Sequence, residues 1–267
     1  MAIAYYAQVA ESGHWTQVWR AESLSRLLEV ALRDPLTSHI LRHLSSDGII
    51  LEAGCGLGQY VAILRDRGFC ALGGDFSLQA LASHRLARPG SPLVALDLLR
   101  LPFGNGVLGG LVSLGVIEHL REGPQAMLAE FHRTLTPGRV LLVSVPWING
   151  YRTLAKAHIE RQQARLRASG AEFYQYAFAQ HEVRAFLESA GFQAQAFYPY
   201  SPAKGLRECA LLRQLWPKIP HISQEAQQPP TGGGAEQIGG LRRLLYSRPV
   251  LYWFAHMILV VAHKPGG

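Results

Sequence analysis

The chain has 267 residues, 48% hydrophobic and 17% charged, enough apolar material for a full buried core in one elaborated domain, which excludes a disordered protein. Three cysteines, Cys55, Cys70 and Cys209, are odd in number and unpatterned, which indicates a reducing compartment and excludes a disulfide framework or a cysteine metal cluster. The net charge of +7 is uneven, because residues 201–267 hold eight basic side chains against three acidic ones and so carry +5 of it.

The start, Met1 to Tyr6, lacks a basic region followed by an apolar core of signal length, and no run of about 18 apolar residues could span a bilayer, so a cytoplasmic protein is expected. Residues 1–47, with Trp15, Trp19 and a helix-like run from Glu22 to Leu44, read as an N-terminal helical segment. Ile49-Ile50-Leu51-Glu52-Ala53-Gly54-Cys55-Gly56-Leu57-Gly58 then joins an apolar strand, an acid at its end and three alternate glycines to a helix through Val61 and Leu64 that stops at Gly68. The glycines permit a turn that a Cβ would forbid and let the backbone approach a ligand. The helix start behind them offers unpaired N–H groups. A second strand, Phe69 to Gly74, ends at Asp75, 21 residues past Gly54, where an acid can accept from both hydroxyls of a ribose.

Ser77 caps a helix from Leu78 to Arg88. A third strand, Leu93 to Leu96, ends at Asp97 and continues through Leu98 to Leu101-Pro102-Phe103. A fourth, Leu111 to Leu114, leads into Gly115-Val116-Ile117-Glu118-His119. Pro124 to Leu135 reads as a helix, Pro137-Gly138 as a turn and Arg139 to Val145 as a buried strand. Residues 146–180 hold a basic helix, Thr153 to Ala168, and an aromatic cluster of Phe173, Tyr174, Tyr176 and Phe178. His181 to Ala190 and Phe192 to Tyr198 form a further helix and strand, and His256 to Ala262 the last strand. This alternation predicts a doubly wound, mostly parallel, seven-stranded α/β sheet occupying 48–267. Residues 146–180 are inserted on its substrate side, and 199–255 form a basic and apolar insertion before the last strand, its middle, 221–240, a mobile loop.

From Ile49 to about Val145 these motifs resemble the class I S-adenosylmethionine-dependent methyltransferases, in particular the small-molecule branch with (D/E)-x-G-x-G-x-G, an Asp-x-Ser after the second strand, D-x-x-x-L-P-F and a strand ending in E-H. The resemblance implies a Rossmann-like methyltransferase fold with S-adenosylmethionine as cofactor and with the N-terminal segment 1–47 folded over the cofactor site. It implies that backbone at Ala53, Gly54, Gly56 and Gly58 holds the methionine part, with Glu52 at its ammonium. Asp75 takes the ribose hydroxyls, Phe76 lies against adenine, Asp97 and the Leu98 N–H read the ring, and Leu114 and Gly115 floor the site. A sulfonium with an ammonium suits a site rich in acids better than a pyrophosphate does. Asn105 and Gly109 replace acids that the family often carries, from which a looser loop is expected. No metal is expected, since Gly115 stands where quinone O-methyltransferases carry a third acid.

Methyl transfer needs alignment and, for a hydroxyl nucleophile, a base. Beyond the fourth strand, His119 is the candidate base with Glu118 beside it, although both could instead serve structure, His119 as a helix cap. The acceptor implied is a small molecule with an oxygen nucleophile: apolar or lipid-like, a quinone, a sugar or a secondary metabolite. Alternatives are a cofactor-binding regulator or scaffold without catalysis, a NAD-dependent oxidoreductase, and an RNA methyltransferase. The second would need a Tyr with Lys four residues on, whereas Tyr151 is followed at that spacing by Ala155; for the third no stacking platform is visible, and no nucleic-acid partner is expected. Arginines and aromatics in 201–254, including Trp216, Arg242, Arg243, Tyr252 and Trp253, suit peripheral membrane contact or an apolar acceptor.

Overall fold

A computed structural model of the chain describes residues 1–8, 19, 22–209, 240 and 243–266. Trp15, Trp216, Arg242 and the loop expected over 221–240, apart from Gly240, lie outside the described residues.

Among the described residues seven strands form one sheet, β2 (Ile49–Ala53), β3 (Cys70–Asp75), β4 (Leu93–Ala95), β5 (Leu108–Leu114), β6 (Val140–Pro146), β8 (Gln193–Tyr200) and β9 (Met257–His263), in the order β4-β3-β2-β5-β6-β9-β8. All pairs are parallel except those of β9, which runs antiparallel to β6 and β8. The expected doubly wound α/β sheet is present, and its strand order reverses between β2 and β5, where ligands bind in open α/β sheets. Strand side chains alternate between faces, so adjacent residues build opposite cores. Leu51, Leu111, Leu141 and Ile258 pack on one side, around Phe131 and Phe192. Ile50, Val112, Leu142 and Leu259 pack on the other, against Ile63, Leu64 and Ile40.

The helices begin where the sequence supplies caps. Ser77 accepts from the Ala80 N–H at the start of α4 (Leu78–Ala87), and Asn149 accepts from the Arg152 N–H at the start of α6 (Gly150–Ala168). The run from Glu22 to Leu44 is two helices, α1 (Leu24–Arg33) and α2 (Pro35–His43). Asp34 ends the first and, with Pro35 at N1, caps the second, because a proline can open a helix but not continue one. The remaining helices are α3 (Gln59–Asp66), α5 (Gln125–Thr134), α7 (Gln180–Ser189), α8 (Pro202–Glu208) and α9 (Arg248–Phe254).

Two expectations change. Residues 1–47 are not helical throughout: Ile3–Ala7 is a strand, β1, paired antiparallel with β7 (Glu172–Ala177), which contains most of the aromatic cluster. The loop carrying Asn105 is not loose either. Arg133 donates to the Leu101 and Phe103 carbonyls and to Asn105 Oδ1, so its fixed fork does the work an acid was expected to do. Gly109 is required there, since a Cβ would lie 2.2 Å from the Asp47 carbonyl oxygen.

Helix α8 is seated through Gly205, where an added Cβ would lie 1.7 Å from the Phe254 carbonyl oxygen of α9. Gly205→Ala therefore has to push α8 away from the start of β9, at a cost of about 1–3 kcal/mol. Thermal denaturation should show a lowered Tm; an unchanged Tm would mean that α8 is not packed this way.

Candidate functional site

The glycine turn is tied to the neighbouring strand by its backbone. Gly54 and Cys55 donate to the Gly74 carbonyl at 2.8 and 3.0 Å, and Gly54, Gly56 and Gly58 all have positive φ (78°, 52° and 67°) that a side chain would strain. Buried Asp75, at the tip of β3, accepts from the Gly56 N–H at 2.7 Å through one carboxylate oxygen and from the Ser77 N–H at 2.8 Å through the other. Each oxygen keeps a second lone pair for a ligand hydroxyl. Buried Glu52 accepts from the Val61 N–H at 2.7 Å and so caps α3, which has no side-chain cap of its own at Gly58. His84, from α4, meets the Leu57 carbonyl at 2.7 Å and presses on Gly58; sequence reasoning missed it, since a single histidine in a helix gives no such signal.

The remaining expected cofactor residues fall on the same edge. Ala53 ends β2, and Phe76, 68% exposed, and exposed Asp97 follow β3 and β4. Asp97 accepts from the Leu99 N–H, and Leu98 is half-buried beside it. Leu114 ends β5, and Gly115 continues it, donating to the Ser144 carbonyl of β6 at 3.0 Å. Trp19 lies on the turn: a Cβ on Gly56 would stand 2.4 Å from its indole.

On the other side of Gly115 stands the acceptor-side candidate pair. Glu118 is buried in a short 3-10 turn, Ile117–His119, with its Oε2 unpartnered. Burial pushes its pKa up to about 8, against a weaker lowering by backbone hydrogen bonding and the Lys204 charge. Burial, opposed by the Val61 N–H and assisted by Asp75, likewise puts Glu52 at about 8. His119, half-buried, meets the Tyr174 carbonyl of β7 through Nδ1 at 2.7 Å, and its ring stands edge-on to the Tyr174 ring. A carbonyl only accepts, so Nδ1 carries the proton and Nε2 the lone pair. The β1–β7 ribbon thus roofs the edge beyond β5, with Tyr176 donating to the Arg121 carbonyl. Two open grooves, of about 520 and 450 Å³, lie along the outer side of this ribbon around Tyr6 and Arg167, away from the glycine turn.

A family model described as a methyltransferase domain matches residues 51–143. Residues 51–143 therefore resemble a methyltransferase domain, a likeness that covers about a third of the chain. Over 106 residues, 40% of this chain, the sequence is 33% identical to a probable S-adenosylmethionine-dependent methyltransferase of Mycolicibacterium smegmatis, and the match spans 41% of that protein's length. Among solved structures, an S-adenosylmethionine-dependent methyltransferase from Methanosarcina mazei superposes with TM-score 0.58 at 16% identity, over 86% of this chain and 98% of that one. A chain of the complex between the Haloferax volcanii Trm112 methyltransferase activator and a methyltransferase superposes with TM-score 0.55 at 15% identity, over 95% of both chains. At these identities the structural likeness establishes the fold.

Outside the matched residues, the same edge of the sheet carries side chains that sequence reasoning did not single out. Arg152 of α6 is only 1% exposed and grips Glu208 of α8 with Nε and Nη2 at 3.0 and 2.9 Å. His256, just before β9, lies with Nδ1 2.5 Å from Glu208. Arg152 sits in a helix whose other basic residues are mostly exposed, so composition marks it as surface.

The burial of Glu118 makes the ligand-free protein pH-sensitive. Its carboxyl ionises near 4.5 when unfolded but near 8 when folded, so its contribution to stability is fully present below about pH 4.5 and is lost as pH rises through 8. Glu118→Gln should therefore match the wild-type Tm near pH 4.5 and exceed it at pH 8.5. A constant difference at both pH values would contradict the burial of an ionisable Glu118.

Proposed function

We propose that this protein binds S-adenosylmethionine along the C-terminal edge of β4, β3, β2 and β5 and catalyses methyl transfer to an oxygen nucleophile on a small molecule. One observation carries the reading: four adjacent strands are each followed or tipped by an acid, Asp97, Asp75, Glu52 and Glu118. Such an edge favours a ligand with an ammonium and a sulfonium over a pyrophosphate. In this reading Glu52 assists at the ammonium and Ala53, Gly54, Gly56 and Gly58 offer backbone to the methionine part. Asp75 accepts from the ribose, exposed Phe76 covers adenine, Asp97 and Leu98 read its edge, and Leu114 and Gly115 floor the methyl end.

Bound there, the cofactor supplies a methyl group already activated on sulfur. The chain's own part is to align the acceptor, exclude water and take a proton. Glu118 and His119 line the acceptor side in this reading.

An apolar or lipid-like acceptor is favoured by α9, none of whose seven residues is buried although five are large and apolar; Tyr252 is 58% exposed. With exposed Arg243 and Arg248 nearby, the same face suits peripheral contact with an anionic membrane. No helix among the described residues is long and apolar enough to cross one.

Calorimetry tests the assignment. S-adenosylmethionine and its demethylated product should bind at the micromolar scale, about −8 kcal/mol. Cationic groups arriving beside Glu52 and Glu118, whose pKa values are pushed up to about 8, favour the ionised carboxylates, so binding near pH 7 should release protons and give different heats in phosphate and in Tris. Asp75→Ala should weaken binding by about 2–4 kcal/mol. It should also lower the Tm of the free protein, because the Gly56 and Ser77 N–H groups lose their acceptor. Absence of heat with both ligands, but binding of NAD, would overturn the reading.

A further inference from the structure

The buried charge cluster beyond β6 is built as an oriented base. Arg152 spends its whole guanidinium on fixed partners: Nη1 donates to the Trp147 carbonyl at 2.7 Å and to the His256 carbonyl at 3.2 Å, while Nε and Nη2 hold the two oxygens of Glu208. That bidentate clamp fixes the carboxylate and keeps it ionised against the cost of burial. Tyr151 secures the same residue from the other end, its hydroxyl donating to the Glu208 carbonyl at 3.3 Å. Glu208 Oε1 then faces His256 Nδ1 at 2.5 Å. Arg152 Nη2 is also 2.9 Å from Nδ1, but a guanidinium cannot accept, so both groups donate to the carboxylate and the imidazole keeps its lone pair on Nε2.

The cluster lies at the C-terminal end of β6, where Pro146 pairs with Met257 and the Trp147 N–H donates to the His256 carbonyl. His256 immediately precedes Met257, whose methyl carbon is 3.9 Å from the place a Cβ on Gly115 would take, and Gly115 floors the methyl end of the cofactor in the reading above. The charge of Lys204, on α8, is felt by Glu118 as well as by Glu208, Arg152 and His256, which joins the cluster to the Glu118 side of the cleft. Tyr5 of β1 lies over Arg152, with its ring centre 5.7 Å from the guanidinium carbon. Ser201, whose carbonyl accepts from the His256 N–H, is the one non-glycine residue with positive φ among the described residues. Backbone strain of this kind collects at functional positions.

We propose that His256 is the base that takes the acceptor's proton, with Glu208 and Arg152 as its positioning residues; this rests on the methyl transfer proposed above. As the acceptor hydroxyl loses its proton to His256 Nε2, its oxygen forms the bond to the methyl carbon. The carbon–sulfur bond breaks with its electron pair left on sulfur, and the imidazolium later yields its proton to water. Burial, with the Arg152 and Lys204 charges, holds the His256 imidazole below its ordinary pKa, and the Glu208 carboxylate opposes them by stabilising the imidazolium that forms as the proton arrives.

Two measurements decide it. In the full chain saturated with S-adenosylhomocysteine, 15N NMR of the histidine rings should show His256 neutral, with its proton on Nδ1 and Nε2 bare; a proton resident on Nε2 overturns the proposal, whatever the acceptor. With the hydroxylated compound turned over fastest in an acceptor screen, His256→Gln should lower kcat/KM about a hundredfold with cofactor affinity retained, and His119→Gln should lower it less. Glu208→Gln should shift the acid limb of the kcat/KM–pH profile to lower pH, a shift that a merely structural tether would not cause. Turnover retained in His256→Gln with only a lowered Tm would make the cluster structural and overturn the proposal. Failure of the wild type to bind S-adenosylmethionine would instead overturn the functional reading beneath it, so the two failures are distinct.

Discussion

The carboxylate of Asp75 joins the glycine turn after β2 to the helix after β3. One oxygen holds the Gly56 N–H of the turn after β2, and the other holds the Ser77 N–H at the start of α4, so the end of one strand sets both the neighbouring turn and its own helix. The turn can take that path because Gly54, Gly56 and Gly58 adopt positive φ without strain. Glu52 fixes the other end of the same turn by capping α3. A concave run of backbone with acids on either side results, and its preorganisation is what a small cationic ligand would use.

Beyond β5 the logic changes from backbone to side chains. The β1–β7 ribbon covers the edge, His119 is pinned to it through the Tyr174 carbonyl, and Arg152, Glu208 and His256 close the far side from three elements well separated in sequence. Burying such a cluster costs several kcal/mol per ion unless every partner is in place, and here Arg152 has all its donors engaged. Its arrangement therefore depends on α8, whose close seat at Gly205 against Phe254 leaves no room for a side chain.

The sheet was legible in the sequence because its signals are local. Ile50 and Leu51, Val112 and Leu111, and Leu142 and Leu141 alternate between the two cores as a period of two requires, and the acids at the strand ends follow the motif spacing. The positions expected on the cofactor side rest on signals of the same local kind, since each is defined by its own strand and turn. Elements that depend on distant partners were not legible. Ile3–Ala7 becomes a strand only because Glu172–Ala177 pairs with it from more than 160 residues away, and neither segment announces that partner. Arg152 lies in a strongly basic helix, so only the fold reveals that it points inward to Glu208 rather than to water. The loop around Asn105 was misjudged for the same reason, because the residue that stiffens it, Arg133, comes from α5.

A crystal structure of the chain with S-adenosylhomocysteine tests the central claim most directly. The account predicts both ribose hydroxyls on Asp75, the adenine beside Phe76 and Asp97, the thioether sulfur above Leu114 and Gly115, and the Trp19 indole shifted or packed on the ligand rather than directly on Gly56. A ligand bound in the groove around Tyr6 and Arg167, or one whose ribose makes no contact with Asp75, would contradict it.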